Sequence, residues 1–99
     1  MKTNIDVILK TFDRVVEALR NNDVLTVAKL KKITELNSVK LSKILTFLLV
    51  SGVINVRLFG KYMIVGLTPN WKDNYEKFKK EFVEKGYYNI FYEKVEKTK

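Results

Sequence analysis

A group of basic side chains occupies the middle of the sequence, and the chemistry that it suggests is contact with phosphate. Between Leu25 and Tyr62, seven Lys and Arg residues stand against Glu35 alone, a net charge of +6 within a chain whose total is +8. The basic residues are Lys29, Lys31, Lys32, Lys40, Lys43, Arg57 and Lys61. A positive field confined to one segment is typical of a surface that binds a polyanion. The alternative is that the lysines only keep the chain soluble.

Residue types that most enzymes need are missing. The chain has no Cys and no His, so thiol nucleophiles, disulfides and the commonest metal ligand and acid/base group are excluded. No cluster of Asp and Glu on an apolar background suggests a two-carboxylate or Mg²⁺ site. We therefore predict a protein without enzymatic activity, without a cofactor and without a metal site.

The length of 99 residues, 46% of them hydrophobic, predicts one globular domain. No run of eighteen apolar residues occurs, and the N-terminus lacks the apolar region of a signal peptide. We therefore expect a cytoplasmic protein that does not enter a membrane.

Two helices are predicted in the first third of the chain. Apolar residues recur at helical spacing from position 5 to position 19 and predict an amphipathic helix over residues 5–20. After a short extended piece at residues 24–25, Thr26 is predicted as the N-cap of a second helix that closes near Leu36.

A third helix begins after a tight connection. Asn37 and Ser38 are both N-cap residue types, and Gly52 is predicted to end the helix as a C′ glycine. The apolar residues that recur at helical spacing are expected to face the core: Leu41, Ile44, Leu45 and Leu48.

A β-hairpin and a last helix complete the pattern. Residues 53–58 and 62–67 are rich in β-branched and aromatic residues, and Gly60 between them suits a tight turn. Pro69 then introduces a helix with one aromatic face, which Gly86 is expected to break. That face consists of Trp71, Tyr75, Phe78 and Phe82. Residues 87–95 fit both a helix and a strand, and we favour a helix.

The predicted fold is α+β, mainly α: a winged helix-turn-helix of three helices, a β-hairpin wing and a C-terminal helix. We expect the winged helix-turn-helix domain over residues 1–69 and a C-terminal helical extension over residues 70–99 that shares its core.

Residues 28–54 resemble the helix-turn-helix core of MarR-like and ArsR-like winged-helix regulators. The segment Leu48–Ile54 looks like the leucine, glycine and apolar pair that lead into the wing of those proteins, and Leu67–Pro69 is similar to the Leu-Thr-Pro that ends the wing in many MarR-like proteins. A compact, Lys-rich and Ile-rich chain without His or Cys also resembles the versions found in thermophilic archaea and their viruses. The resemblance implies double-stranded DNA as partner and a role in transcription regulation.

In this fold the third helix, residues 38–51, would lie in the major groove, which admits one α-helix. Its outward residues are expected to contact bases and phosphates: Val39, Lys40, Ser42, Lys43 and Thr46. The second helix would place Lys29, Lys31 and Lys32 near the DNA backbone, with Lys29 and Lys32 as the predicted contacts. The wing, residues 53–67, would bring Arg57 and Lys61 to flanking phosphates or the minor groove, without deep insertion because it is short.

The long flanking helices carry more apolar residues than a domain of this size is expected to need. We therefore predict a homodimer interface, as in MarR-like proteins, formed by Ile5, Leu9, Phe12, Trp71, Tyr75, Phe78 and Phe82. Two recognition helices would then meet half-sites about 34 Å apart. A small-molecule effector in the dimer cleft is left open.

Three alternatives remain. A winged helix can serve as a protein–protein adaptor in a transcription, replication or membrane-remodelling complex. The aromatic residues of the last third could stack on single-stranded bases. An enzyme acting on nucleic acid would need groups that these residues do not supply.

Overall fold

Four helices and three strands follow one another in the predicted order. The computed structural model describes residues 2–87. The helices are α1 (Lys2–Asn22), α2 (Val27–Thr34), α3 (Ser38–Val50) and α4 (Trp71–Glu84), and the strands are β1 (Val24–Thr26), β2 (Ile54–Phe59) and β3 (Tyr62–Leu67). The predicted fold class, mainly helical with a β-hairpin wing, is confirmed. Within the described residues no helix is both long and apolar enough to cross a bilayer. The prediction for residues 88–95 lies outside the described part.

The strands form one antiparallel sheet in the order β1-β3-β2. The short extended piece predicted at residues 24–25 is its third strand, with Leu25 opposite Val65 of β3. Because side chains alternate along a strand, the sheet has two different faces. Its inner face packs on the helices through Leu25, Ile54, Val56 and Val65. Its outer face carries Asn55, Arg57, Phe59, Tyr62 and Ile64.

Gly52 joins α3, the sheet and α4. It has a φ of +80°, and its N–H donates to the carbonyl oxygen of Leu49 at 3.1 Å, as expected of a C′ glycine. Its own carbonyl oxygen accepts hydrogen bonds from Thr68 Oγ1 at 2.6 Å and from Asn74 Nδ2 at 2.9 Å. A Cβ at this position would stand 2.9 Å from Asn74 Nδ2, so no other residue fits without displacing that bond.

The core behind α3 is aromatic. The Phe12 ring of α1 lies edge-on to Phe78 and Phe82 of α4, with centroid distances of 4.9 and 5.3 Å. Phe47 of α3 packs on Phe82 at 5.5 Å. Edge-to-face pairs of this kind add about 0.5–1.5 kcal/mol each to the free energy gained from area burial. The cluster fixes α1 and α4 against one side of α3 and leaves the other side outward.

A polar contact fixes the end of α2 against α1. Arg14 Nη1 donates to the carbonyl oxygen of Thr34 at 3.0 Å, where a helix C-terminus favours positive charge. The buried Thr34 hydroxyl donates to the carbonyl oxygen of Leu30 at 2.7 Å, so its hydrogen-bonding capacity is used within the helix. The position of α2 relative to α1 therefore depends on a specific bond as well as on apolar packing.

Candidate nucleic-acid interface

The connection between α2 and α3 is built from two N-caps and one left-handed residue. Thr26 Oγ1 accepts a hydrogen bond from the N–H of Lys29 at 3.1 Å, which confirms it as the cap of α2. Glu35 adopts a φ of 60°, and its N–H donates to the carbonyl oxygen of Lys31 at 2.9 Å. Asn37 Oδ1 accepts from the N–H of Lys40 at 2.8 Å and starts α3. These bonds set the angle at which α3 leaves the body of the protein.

One side of α3 is buried and the other is exposed. The predicted core residues Leu41, Ile44, Leu45 and Leu48 are all buried. On the opposite side Val39 is 63% exposed, and Lys40, Ser42 and Thr46 are also exposed, whereas Lys43 is partly buried. We call Val39, Ser42 and Thr46, which follow one another along this side, the α3 strip.

A hydrogen bond within the helix limits which groups on the bases Thr46 can bind. Its hydroxyl donates to the carbonyl oxygen of Ser42 at 2.9 Å. With its hydrogen engaged, the Thr46 oxygen can still accept a bond from the amino group of adenine or cytosine in the major groove. The sequence alone leaves the choice between donor and acceptor open at this position.

A cleft of about 470 Å³ separates α3 from the hairpin. Ser42 and Thr46 line it on one side and Met63 on the other, with Lys31 of α2 at its edge. From the sequence, Lys31 is expected only near the DNA backbone, and Met63 is only part of a strand. The alternation of strand side chains is the signal that identifies Met63, since it shares a face with Val65.

A second depression, of about 660 Å³, lies between α3 and α4. Ser42, Lys43 and Thr46 line it from α3, and Lys77 and Glu81 line it from α4. Lys43 is therefore on the α4 side of the α3 strip, while Lys31 is on the hairpin side. The strip is thus flanked by a lysine on each side.

Arg57 lies on the outer face of the sheet. It lines a depression of about 420 Å³ together with Asn55, Phe59 and Ile64, on the face opposite Val56. The structure therefore does not bring Arg57 onto the surface that carries the α3 strip. Three other predicted contacts are exposed: Lys29 and Lys32 on α2 and Lys61 in the hairpin turn.

The charge of this region is one-sided. From Leu36 to Lys72 the sequence contains no acidic residue, and Lys40, Lys43, Arg57, Lys61 and Lys72 lie within that interval. Among residues 2–87 no group of acidic side chains is arranged to hold a metal ion. The surface formed by α3 and the hairpin therefore suits an anionic partner.

Most of the residues predicted at a dimer interface are core residues of the protomer. Phe12 and Phe82 have no exposed surface, and Tyr75 and Phe78 keep only 5% and 4%. From the sequence, a domain of this size is not expected to need these side chains, but they form the aromatic core behind α3. Three of the seven, Ile5, Leu9 and Trp71, are partly exposed, and a dimer interface on these helices depends on them.

Tyr75 joins α4 to α1 through a polar contact. Its hydroxyl donates to Asp13 Oδ1 at 2.5 Å. Burial and, after it, the bond to the Asp13 carboxylate raise the pKa of Tyr75 far above its ordinary value. The contact holds the two flanking helices together at the side of the core.

The structure is similar to winged-helix regulators of the MarR family. It matches a mutant of MarR from E. coli complexed with operator DNA, with a TM-score of 0.59 and 20% identity over 74% of this chain and 54% of that one. It matches Sso10a-2, a DNA-binding protein from Sulfolobus solfataricus, with a TM-score of 0.55 and 18% identity over 88% and 93%. For a MarR-family regulator from Silicibacter pomeroyi the values are 0.63 and 17% over 97% and 77%.

These similarities confirm, at the level of the fold, the resemblance that the sequence suggested. The chain spans about half the length of the E. coli MarR that it matches. No protein-family model and no curated protein match the sequence. What the protein binds has therefore to be argued from its own surface.

Proposed function

We propose that this protein is a sequence-specific, double-stranded DNA-binding regulator of transcription that acts as a homodimer. In this proposal α3 lies in the major groove, and the hairpin lies on flanking backbone or in the adjacent minor groove. The chain itself carries out no chemical reaction.

One observation carries the proposal: the exposed α3 strip is flanked by Lys31 and Lys43 and faces away from the core. A major groove admits one α-helix, so the strip can contact base edges while Lys31 contacts phosphate and Lys43 donates to guanine O6 and N7. Ser42 and Thr46 supply hydrogen-bonding groups, and Val39 supplies an apolar contact for a thymine methyl group. No acidic residue lies between Leu36 and Lys72, so α3 and the hairpin add no negative charge of their own, and Lys43 and Lys77 outnumber Glu81 in the depression beside the strip.

The dimer is supported by apolar residues that α1 and α4 leave in solvent. Besides the three partly exposed residues named above, Val7 is 57% and Val83 is 44% exposed. Two copies joined through these helices by a two-fold axis would present two α3 helices to half-sites about 34 Å apart. Light scattering on the purified protein tests this directly, with a mass twice that of the 11.6 kDa chain expected.

The central experiment is selection from a random duplex library, followed by affinity measurements on the recovered sequences. Replacing a residue that reads a base should weaken the preferred sequence by about 1–3 kcal/mol and relax the preference at one position. We expect this for Lys43→Ala and for Ser42→Ala. Lys10→Ala, which removes an exposed lysine of α1, is the charge-matched control for Lys43→Ala and should leave the preference unchanged.

An equal decrease in affinity for all sequences would reduce Lys43 to a phosphate contact. If the wild-type chain selects no sequence from the library, sequence-specific binding is wrong.

A protein–protein adaptor is the second candidate. It is favoured by apolar side chains at the end of α3, where Leu49 is 46% and Val50 is 82% exposed. An adaptor needs no positive surface around the α3 strip. Weak duplex binding at physiological salt, together with a protein partner whose binding Val50→Ser abolishes, would favour it over the DNA-binding regulator.

A further inference from the structure

The tip of the β2–β3 hairpin exposes large apolar side chains. Leu58 and Phe59 are 73% and 72% exposed, and Tyr62 and Met63 are 57% and 46% exposed. The core does not require them, because the hairpin enters the core only at Val65, which is fully buried and lies two residues after Met63 in β3. Clustered apolar exposure of this kind marks an interaction site on a soluble fold.

The tip has the form of a narrow wedge. Phe59 is paired across the strands with Tyr62, and Leu58 with Met63, so each face of the tip carries one apolar pair. The two strands are connected by Gly60 and Lys61 alone. Gly60 has a φ of +65°, and nothing lies within 4 Å of the place where its Cβ would be, so no described part of the protein covers the tip.

The charges around the tip favour duplex DNA over a second copy of this chain. Arg57 and Lys61 flank it, and the nearest acidic residues along the chain are Glu35 and Asp73. A second copy of the tip would bring like charges together. Duplex DNA offers phosphates to the cations and, beneath them, apolar base faces to the side chains of the wedge.

The sequence alone predicts no deep insertion for so short a wing, but the dimensions of the exposed tip agree with insertion from the minor groove. The three residues from Leu58 to Gly60 extend about 10 Å at the usual rise of a strand, and a minor groove is about 7.5 Å deep. Two strands about 4.8 Å apart, with their side chains, exceed the groove width of about 6 Å. Entry therefore requires the groove to open, which bends the duplex toward the major groove.

We propose that the hairpin tip enters the minor groove and places Phe59 against a base step, which it partly unstacks, so that the protein bends the DNA it binds. The inference rests on the proposed binding of duplex DNA and adds a second action to it. Phe59 acts with Tyr62 beside it on the same face. Arg57, two residues behind Phe59, contacts phosphate at the rim of the opened groove, and Lys61, in the turn, donates to the adenine N3 and thymine O2 acceptors on the groove floor. A pyrimidine–purine step is the preferred target because such steps unstack most easily.

The test uses the full chain and a duplex of about two helical turns, about 70 Å long, that contains several TA steps, with 2-aminopurine in place of adenine and a dye pair at the ends. At saturating wild-type protein, 2-aminopurine fluorescence should rise several-fold, and energy transfer between the ends should increase. Phe59→Ser should lower both signals to nearly the values of free duplex. Phe59→Leu should retain most of them, because leucine is also an apolar wedge.

Ile33→Ser, which removes an exposed apolar side chain from α2 (47% exposed), is the matched control and should behave as wild type. If Phe59→Ser loses its helical circular dichroism, Tyr62→Ser and Leu58→Ser take its place in the same assay.

Each other outcome overturns the wedge in an identifiable way. If Phe59→Ser binds and bends the duplex as wild type does, the wedge is wrong and DNA binding stands. If the wild-type chain binds no duplex at all, the proposed function fails together with the wedge. If wild type sediments with phosphatidylglycerol vesicles and Phe59→Ser does not, with no 2-aminopurine change, the tip binds lipid. If Phe59→Ser converts a dimer to a monomer in light scattering, the tip is a protein–protein contact.

Discussion

Replacing Asn37 separates the stability of α3 from the DNA binding proposed for it. Asn37 Oδ1 accepts the N–H of Lys40 at 2.8 Å and is the side-chain cap of α3. Asn37→Ala removes that acceptor and leaves an N–H in the first turn of the helix without its partner. The site is exposed, so water can replace the bond in part, and no cavity forms.

The magnitude follows from the kind of bond that is removed. Replacing an Asn cap by Ala costs about 0.5–2 kcal/mol, typically about 1. For a domain of this size, a destabilisation of about 1 kcal/mol lowers the Tm by about 4–8 °C. The same free energy makes the first turn of α3 open about fivefold more often. Because Lys40 lies in that turn, the affinity for duplex should fall by at most the same factor for each α3 helix that is bound.

Two further substitutions at the same position distinguish the two effects. Asn37→Ser keeps a capping oxygen, so both Tm and affinity should stay near wild type. Asn37→Asp also keeps the cap and adds a negative charge that the helix N-terminus favours, so Tm should be unchanged or higher. That charge should repel phosphate and weaken duplex binding at low salt. Thermal melts and fluorescence anisotropy measure the two quantities.

Two results would refute this reasoning. If Asn37→Ala melts at the wild-type temperature, the cap does not stabilise α3. If Asn37→Asp binds duplex at low salt as tightly as wild type, the N-terminus of α3 does not lie near phosphate, and the proposed docking is wrong.

Two other predictions concern the α2 lysines and the buried tyrosine. The double variant Lys29→Ala, Lys32→Ala should reduce the slope of log K against log salt by about 0.9 for each phosphate that the variant no longer neutralises, whereas the exposed pair Lys10→Ala, Lys80→Ala should leave the slope unchanged. The raised pKa of Tyr75 means that the unfolded chain releases this proton above about pH 10 while the folded chain keeps it, so its contribution to stability is complete below that pH and declines above it. Between about pH 9 and pH 11, the free energy of unfolding of Tyr75→Phe should therefore decrease less than that of wild type. Urea titrations at the two pH values measure both decreases. Equal decreases would contradict the raised pKa of Tyr75.

The sequence is sufficient for the order of the elements and for several of their ends. Thr26, Asn37 and Gly52 each act at a helix terminus through their own side chain or backbone, so their residue types carry the information locally. The buried residues of α3 can also be predicted from the sequence, because helical spacing alone determines which of its residues share a face.

Contacts that depend on tertiary packing cannot be read in this way. The sequence shows that residues 24–25 are extended, but the pairing of Leu25 with Val65 joins segments that lie far apart along the chain. For Phe12 and the aromatic residues of α4, spacing shows that one face is apolar and does not show what covers it, so the sequence favours a dimer interface. In the structure, α1 and the back of α3 cover most of that face, so a single chain already buries it.

The placement of Arg57 has the clearest consequence for function. Counting charges along the sequence groups Arg57 with the lysines of α2 and α3, because such a count does not show on which face of the sheet a side chain lies. Strand alternation puts Arg57 on the outer face with Phe59, whereas Met63 lies beside the α3 strip. The side of the hairpin that faces α3 therefore carries the apolar Met63. The other side carries Arg57 together with the aromatic residues of the tip, Phe59 and Tyr62. A wing built in this way suits the minor groove better than the groove proposed for α3, which is why the bend assay and the library selection test different surfaces of the same molecule.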